Sequence, residues 1–254
     1  MSEAHQIILD KIWYRNTLHP IAIALLPVSW LFRAMVYTRY QLYRRGWFKS
    51  IKTPVPVIVV GNISVGGAGK TPLVIWLAKL LKHHGFSPGI VSRGYGGATT
   101  EMPRIVKADS NPAETGDEPV LIAQHTNCPV VVFRKRPLAI NTLLTQFECD
   151  VVLSDDGMQH YPMARDIEIA VIDSQRGLGN QQCLPAGPLR EPPARLQQVD
   201  FIVSKEGKTE GFTMQYVPGE LTNLKNASNR KPLDEFQGKT VHAVAGIGNP
   251  QGFF

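Results

Sequence analysis

Val55-Pro-Val-Ile-Val-Val60 runs into Gly61-Asn-Ile-Ser-Val-Gly-Gly-Ala-Gly-Lys-Thr71, which opens onto Pro72-Leu-Val-Ile-Trp-Leu-Ala-Lys-Leu-Leu-Lys-His-His84. The first stretch is a short β-branched run, the pattern of a strand buried on both faces of a parallel sheet. The last has proline in its first turn and Gly85 as its stop, which predicts a helix. A glycine-rich loop ending Gly69-Lys70-Thr71 between the two is the setting of a phosphate-binding P-loop. Glycines let backbone amides close around phosphate oxygens, and the helix N-terminus adds positive potential. Ser64, Val65, Gly66, Gly67, Ala68, Gly69, Lys70 and Thr71 therefore form the candidate nucleotide loop. In this role Lys70 reaches the β- and γ-phosphates and the Thr71 hydroxyl sits on Mg²⁺. The common pattern has glycine where this chain has Ser64, and the pair Gly66-Gly67 supplies the flexibility instead.

Strand-like and helix-like segments go on alternating, which predicts an α/β fold with a mostly parallel sheet flanked by helices. Gly89–Ser92, Pro129–Phe133, Asp150–Ser154, Ile167–Ile172, Asp200–Ser204 and Thr240–Ala245 read as strands, and Pro137–Phe147 as a helix. The Pro/Gly-rich stretch from Gly177 to Pro193 reads as an ordered loop, and 207–238 as a more polar region.

Ligands of parallel sheets sit beyond the carboxyl ends of the strands, so acids there carry most weight. Val151-Val-Leu-Ser154 ends in Asp155-Asp156-Gly-Met-Gln-His160. An apolar strand closing on an acid is the Walker B arrangement, in which a carboxylate such as Asp155 orients Mg²⁺ or its waters. A solvated Asp-Asp-Gly turn is the competing reading. Gly116-Asp117-Glu118-Pro119 precedes a helical stretch, where both acids are favoured for local reasons alone. Arg93 in Ser92-Arg-Gly-Tyr-Gly-Gly97 is either a phosphate contact or a solvated loop charge. Arg190, held among prolines in Leu184-Pro-Ala-Gly-Pro-Leu-Arg-Glu-Pro192, leans towards anion binding. His83 and His84 sit at a helix end that favours cations in any case.

The composition is that of a globular chain, 43% hydrophobic and 19% charged, which excludes a disordered or collagen-like protein. Cys128, Cys149 and Cys183 lack metal-site spacing and read as reduced, buried thiols. The net charge of +6 is local: residues 1–52 hold eight Lys/Arg against two acids, and 53–254 hold nineteen of each. This divides the chain into a basic, aromatic segment (1–52) and a neutral body (53–254), and argues against a nucleic-acid-binding face. Pro20–Phe32 carries no charge over thirteen residues, too short to cross a bilayer that needs about twenty. Arg33, Tyr37, Arg39, Tyr40, Tyr43, Arg44, Arg45, Trp47, Phe48 and Lys49 follow. Rings interleaved with arginines suit a helix lying at an anionic membrane surface, each basic residue contributing about 1 kcal/mol. A helix packed on the body with a solvated basic rim is the alternative.

Val60-Gly-Asn-Ile-Ser-Val-Gly-Gly-Ala-Gly-Lys-Thr-Pro72, Ser92-Arg-Gly-Tyr-Gly96, Gly116-Asp-Glu-Pro119, Asp155-Asp-Gly-Met-Gln-His160 and Leu184-Pro-Ala-Gly-Pro-Leu-Arg-Glu-Pro192 occur in that order. With the N-terminal segment they closely resemble the tetraacyldisaccharide 4'-kinase family, the lipid A kinases of Gram-negative bacteria. Ser64 is an accepted variant there. The resemblance implies a monomeric P-loop kinase at the cytoplasmic face of the inner membrane. It would use ATP and Mg²⁺ to phosphorylate the 4'-hydroxyl of tetraacyldisaccharide 1-phosphate, giving lipid IVA. It further implies that Asp117 acts near the attacking hydroxyl as base or orienter and that Glu118 helps with magnesium. Asp156 would pair with a histidine of a C-terminal Asp-His-His segment, which has no counterpart before Phe254. The family continues past that point, so the chain is expected to lack the family's last part.

Two rival readings use the same residues. A P-loop ATPase or GTPase switch acting on a membrane partner would use the double-glycine loop, but in Phe201-Ile-Val-Ser-Lys-Glu-Gly207 a glycine takes the place of the guanine-reading aspartate. A membrane scaffold would bind nucleotide without turning it over.

Overall fold

The computed structural model describes residues 9–15, 17–98, 101–207, 211–217, 219–226 and 228–244. After a helical turn at 9–13 comes the long helix α1 (Pro20–Arg44), followed by β1 (Val57–Gly61) and α2 (Lys70–His83). Then come β2 (Pro88–Ser92), β3 (Arg104–Val106), α3 (Asp117–Thr126), β4 (Val130–Val132), α4 (Arg136–Gln146) and β5 (Val151–Asp155). Strands β6 (Ile167–Asp173), β7 (Phe201–Lys205) and β8 (Phe212–Met214) complete one sheet, in the order β3-β4-β2-β5-β1-β6-β7-β8. Among the described residues of this sheet, β3–β4 is the one antiparallel pair. A separate ribbon pairs β9 (Leu221–Thr222) with β10 (Arg230–Lys231).

Strand alternation distributes the apolar residues to two cores. Val60 joins Leu73, Val74, Ala78, Val120 and Ile122 on one face, where α2 and α3 pack. Val57 and Val59 join Ala139, Ile140 and Leu143 of α4 on the other, together with Met158, Met163, Cys183 and Leu189 from the loops. The β-branched runs are thus buried on both faces, as parallel strands require. Central β1 carries the nucleotide loop at its carboxyl end, with β5 and its acids on one side and β6 on the other.

The sequence expectations need adjustment in three places. Thr240–Ala245 is not a strand over its described part: 240–244 form no regular structure, Val241 and Val244 are exposed, and no described strand pairs with them. Ala245 lies outside the described residues. β3 and β8, three residues each, are too short to show a period in the sequence. Finally, α1 runs well beyond the uncharged stretch to 25 residues, long and apolar enough by length and composition to cross a membrane. The length limit drawn from Pro20–Phe32 alone therefore does not apply to the helix as folded.

One side of α1 packs on the body. Ala22 and Ser29 are buried, Phe32 touches the second core, and the Ser29 hydroxyl donates to the Cys183 carbonyl at 2.6 Å. Farther along, Tyr40 and Tyr43 stand 5.5 and 5.7 Å from the Tyr161 ring, and the Arg39 guanidinium 5.3 Å from it. The opposite side leaves Ile23, Trp30, Leu31 and Met35 exposed. Cys128 and Cys183 are buried, Cys149 is half-buried, and all three are free thiols.

Candidate active site

The nucleotide loop needs its glycines for shape. Gly66 and Gly69 take φ of 105° and 90°, a region that side chains resist, and Gly69 caps the N-terminus of α2. Lys70 and Thr71 form the first turn of that helix, Thr71 buried and Lys70 nearly so. The Lys70 ammonium stands 3.6 Å from Asp156 Oδ1 and donates to Asn62 Oδ1 at 3.5 Å.

The β5 side of the loop gathers opposite charges. Asp156, at φ 48°, accepts from Arg190 at 3.2 and 3.3 Å. Burial works against its charge, but Lys70 and Arg190 hold the carboxyl below its ordinary value. Asp155 is 1% exposed, and neither of its carboxylate oxygens has a hydrogen-bond partner among the described residues. Burial, reinforced by the charge of Glu118, pushes its carboxyl up to about 7 despite Lys70. Burial also raises Glu118, with Lys70 opposing. Asp117 is exposed at the first position of α3 and accepts from the Glu118 N–H at 3.0 Å, while Gly116 serves as the cap.

The loop holding Arg93 lies against the start of α3. A Cβ on Gly116 would come within 2.6 Å of the Tyr95 carbonyl, and one on Gly97 within 2.7 Å of the Glu114 carbonyl. These glycines let the Arg-Gly-Tyr-Gly and Gly-Asp-Glu-Pro segments touch. Arg93 itself is exposed and lines a cavity of about 390 Å³ with Tyr95, Arg104 and Arg134. Lys70, Asp155, Asp156, Glu118 and Arg190 are thus brought together, with Asp117 and Arg93 at the rim.

Several residues that sequence reading did not single out support this cluster. Arg136, 2% exposed, donates to the Asp155 carbonyl at 2.7 Å and to the Phe133 carbonyl at 3.4 Å. Burial lowers it to about 10, against the pull of both aspartates. Its signal was visible in Phe133-Arg-Lys-Arg136, a basic run closing an apolar strand. The Arg136 N–H donates to His160 Nε2 at 3.3 Å, and burial with Arg136 and Arg165 nearby pushes His160 down to about 4, so it is neutral at pH 7. Gln159 donates at 3.0 Å both to the Asn62 carbonyl and to Glu191, tying the acid loop to the nucleotide loop. Glu191 meets Arg195 at 3.8 Å, and Arg195 pairs with Glu168, which also accepts from Arg165 at 2.7 Å. Arg165 in turn donates to the carbonyls of Met158 and His160.

Among the described residues no three His, Cys, Asp or Glu side chains form a preformed metal cluster. The donor set at Asp155 instead suits a cation that keeps waters and shares phosphate oxygens, as Mg²⁺ does. Its two buried, unpartnered oxygens fit that need.

The chain resembles known proteins over nearly its whole length. A curated tetraacyldisaccharide 4'-kinase of Methylobacillus flagellatus is 50% identical over 249 residues, covering 97% of this chain and 73% of the relative. One from Coxiella burnetii is 51% identical over 246 residues, covering 96% and 72%. The crystal structure of LpxK from Aquifex aeolicus in complex with ATP superposes with a TM-score of 0.73 at 33% identity, over 87% of this chain and 72% of that one. The family model for tetraacyldisaccharide-1-P 4'-kinase matches residues 21–254, and the chain belongs to that family.

Proposed function

We infer that the protein is the tetraacyldisaccharide 4'-kinase, transferring the γ-phosphate of ATP to the 4'-hydroxyl of tetraacyldisaccharide 1-phosphate. The observation that carries the mechanism is Lys70 poised between the nucleotide loop and Asp156, with Asp155 buried and unpartnered beside it. Phosphoryl transfer asks for positioning and charge neutralisation more than for covalent chemistry. Lys70 and the amides of Ser64, Val65, Gly66, Gly67, Ala68, Gly69 and Thr71 hold the triphosphate. When ATP arrives, its phosphates compete with Asp156 for Lys70. Arg190 keeps Asp156 ionised and in place, so that Asp156 supports the acceptor side. Asp117, exposed at the rim, receives the sugar hydroxyl and orients it in line, taking its proton as the bond to phosphorus forms. Arg93 contacts phosphate from the rim. Thr71, Asp155 and Glu118 would hold Mg²⁺, which when bound neutralises charge on the phosphate oxygens.

Residues 1–52 serve as the membrane-associating part and 53–254 as the catalytic body. The exposed Ile23, Trp30, Leu31 and Met35 and the basic residues after Arg33 support a peripheral position at the cytoplasmic face of the inner membrane. The acyl chains stay in lipid there while the sugar reaches the nucleotide. The switch reading is not favoured, since the relatives are named as kinases of this one type.

The test is incubation with γ-labelled ATP, Mg²⁺ and tetraacyldisaccharide 1-phosphate in mixed micelles. Label is expected in the lipid, reduced about 100-fold or more by Lys70→Ala and by Asp117→Ala. Label released only as inorganic phosphate would favour an ATPase.

A further inference from the structure

The nucleotide loop is also gripped from outside, by the stretch that precedes α1. Val65 packs on the small cluster of Ile12, Trp13 and Ala22, and its N–H donates to the Pro188 carbonyl at 2.8 Å. Beside it Gly66, at φ 105°, has no side chain with which to anchor itself. A Cβ there would stand 3.5 Å from the Arg176 guanidinium.

Arg176 belongs to the turn that closes β6, where Asp173 accepts the N–H groups of Gln175 at 3.0 Å and of Arg176 at 3.4 Å. Its guanidinium points to the helical turn at the start of the chain. It donates to Asp10 at 3.0 Å and lies 5.3 Å from the centre of the Tyr14 ring. That turn is pinned in its own right: Trp13 Nε1 donates to the Pro185 carbonyl at 3.2 Å, and the Trp13 carbonyl accepts from the Asn180 N–H at 2.7 Å. Asp10, Tyr14 and Arg176 thus form a fixed wall behind the freest part of the loop. A loop that closes its amides around a triphosphate loses backbone freedom, and one already held in shape has less to lose. Whatever holds Val65 and Gly66 from behind therefore favours phosphate binding, and by linkage bound phosphate favours the hold by the same factor.

We propose that Arg176 is a positioning residue of the nucleotide loop: set by Asp10 and Tyr14, it holds Gly66 from outside, so that docking of residues 9–14 and binding of the ATP phosphates strengthen each other. The proposal rests on the kinase reading only for the identity of the nucleotide.

The experiment measures affinity of the full chain for ATP and for tripolyphosphate, both with Mg²⁺. Hydrogen exchange is followed at the Tyr14 amide, which donates to the Asp10 carbonyl at 3.1 Å. Asp10→Ala and Arg176→Ala are each expected to weaken both ligands about 5-fold or more. The double variant is no weaker than Arg176→Ala alone, because Asp10 acts through Arg176. Asp10→Glu, which keeps the carboxylate, restores most of the affinity. Saturating ATP slows exchange at Tyr14 in the wild type by a similar factor and leaves it unchanged in Arg176→Ala. If the thermal midpoint falls in the alanine variants while both affinities hold, the contact is merely structural and the proposal is overturned. Tighter binding in Asp10→Ala overturns it as well, since Arg176 would then be competing for the phosphates itself. Lipid plays no part in these measurements, so a failed lipid assay would strike the kinase reading and leave this one standing.

Discussion

At Gly69 two requirements meet in one residue: a φ of 90° and no side chain in the direction of Tyr216. Gly69→Ala is expected to strain the backbone by about 1 to 2 kcal/mol and to weaken ATP binding more than tenfold. A thermal midpoint that falls while ATP affinity holds would separate the two effects and reject the second. Asp155 offers a pH-dependent counterpart. An unfolded aspartate releases its proton near 3.9, whereas burial, with Glu118 adding to it, holds this one up to about 7. Between those values the folded protein retains a proton that the unfolded chain has lost, so stability falls as pH rises through that window. His160 acts in the opposite sense. Burial and its arginines push it down to about 4 from 6.5, so its contribution grows as pH rises over that range. In the nucleotide-free protein, Asp155→Asn is expected to gain on the wild type between pH 5 and pH 8, by a few kcal/mol. Urea midpoints of both proteins at the two pH values read this directly, and an equal gap at each would refute it.

At the scale of elements, α1 has two sides with separate jobs. Its inner side is fixed by Ser29, whose hydroxyl satisfies the buried Cys183 carbonyl. Ser29→Ala removes one of two donors to that carbonyl, the Gly187 N–H at 3.1 Å remaining, and is expected to cost about 0.5 to 1.5 kcal/mol in urea unfolding. The outer side carries Trp30 and Leu31, 59% and 72% exposed, which make no contribution to the cores. Replacing both by aspartate is expected to abolish binding to anionic phospholipid vesicles while shifting stability by no more than about 0.5 kcal/mol. Retained vesicle binding would remove α1 as the membrane contact. The same helix also rests on the acid loop, since Arg39, Tyr40 and Tyr43 surround Tyr161, next to His160.

Across the whole molecule, a chain of buried charge joins α1 to the nucleotide loop. Arg195, 5.1 Å from the Tyr40 ring, pairs with Glu168 and approaches Glu191, which holds Gln159, which holds the Asn62 carbonyl. Removing one partner of such a pair leaves the other buried and uncompensated. Glu168 keeps Arg165 at 2.7 Å, so Arg195→Ala is expected to lose less than the full penalty of an unpaired buried charge, about 1 to 3 kcal/mol. Arg195→Met, which keeps apolar volume but leaves Glu168 with Arg165 as its remaining ion-pair partner, should recover part of the loss, and more once Glu168→Gln is added. Denaturant unfolding of the single and double variants checks this, and additive losses would show that the two residues act separately.

Much of this was legible in residues that are neighbours in sequence. Val55–Val60, the glycines and Lys70-Thr71 determine the strand, loop and helix, because β-branched runs, positive-φ turns and helix starts are decided within a few residues. The acids at 155 and 156 could be placed at a strand end for the same reason. The sequence could not say that Thr240–Val244 would find no partner strand, since pairing depends on what lies alongside. Nor could it show that Arg136 would be buried beneath Asp155, that Gln159 would reach Asn62, or that Tyr216 would cover Gly69 across 147 positions. Local propensity chose the elements. The parallel crossovers brought distant polar groups into one dry space, and there each buried charge had to be met by whichever residue the topology delivered.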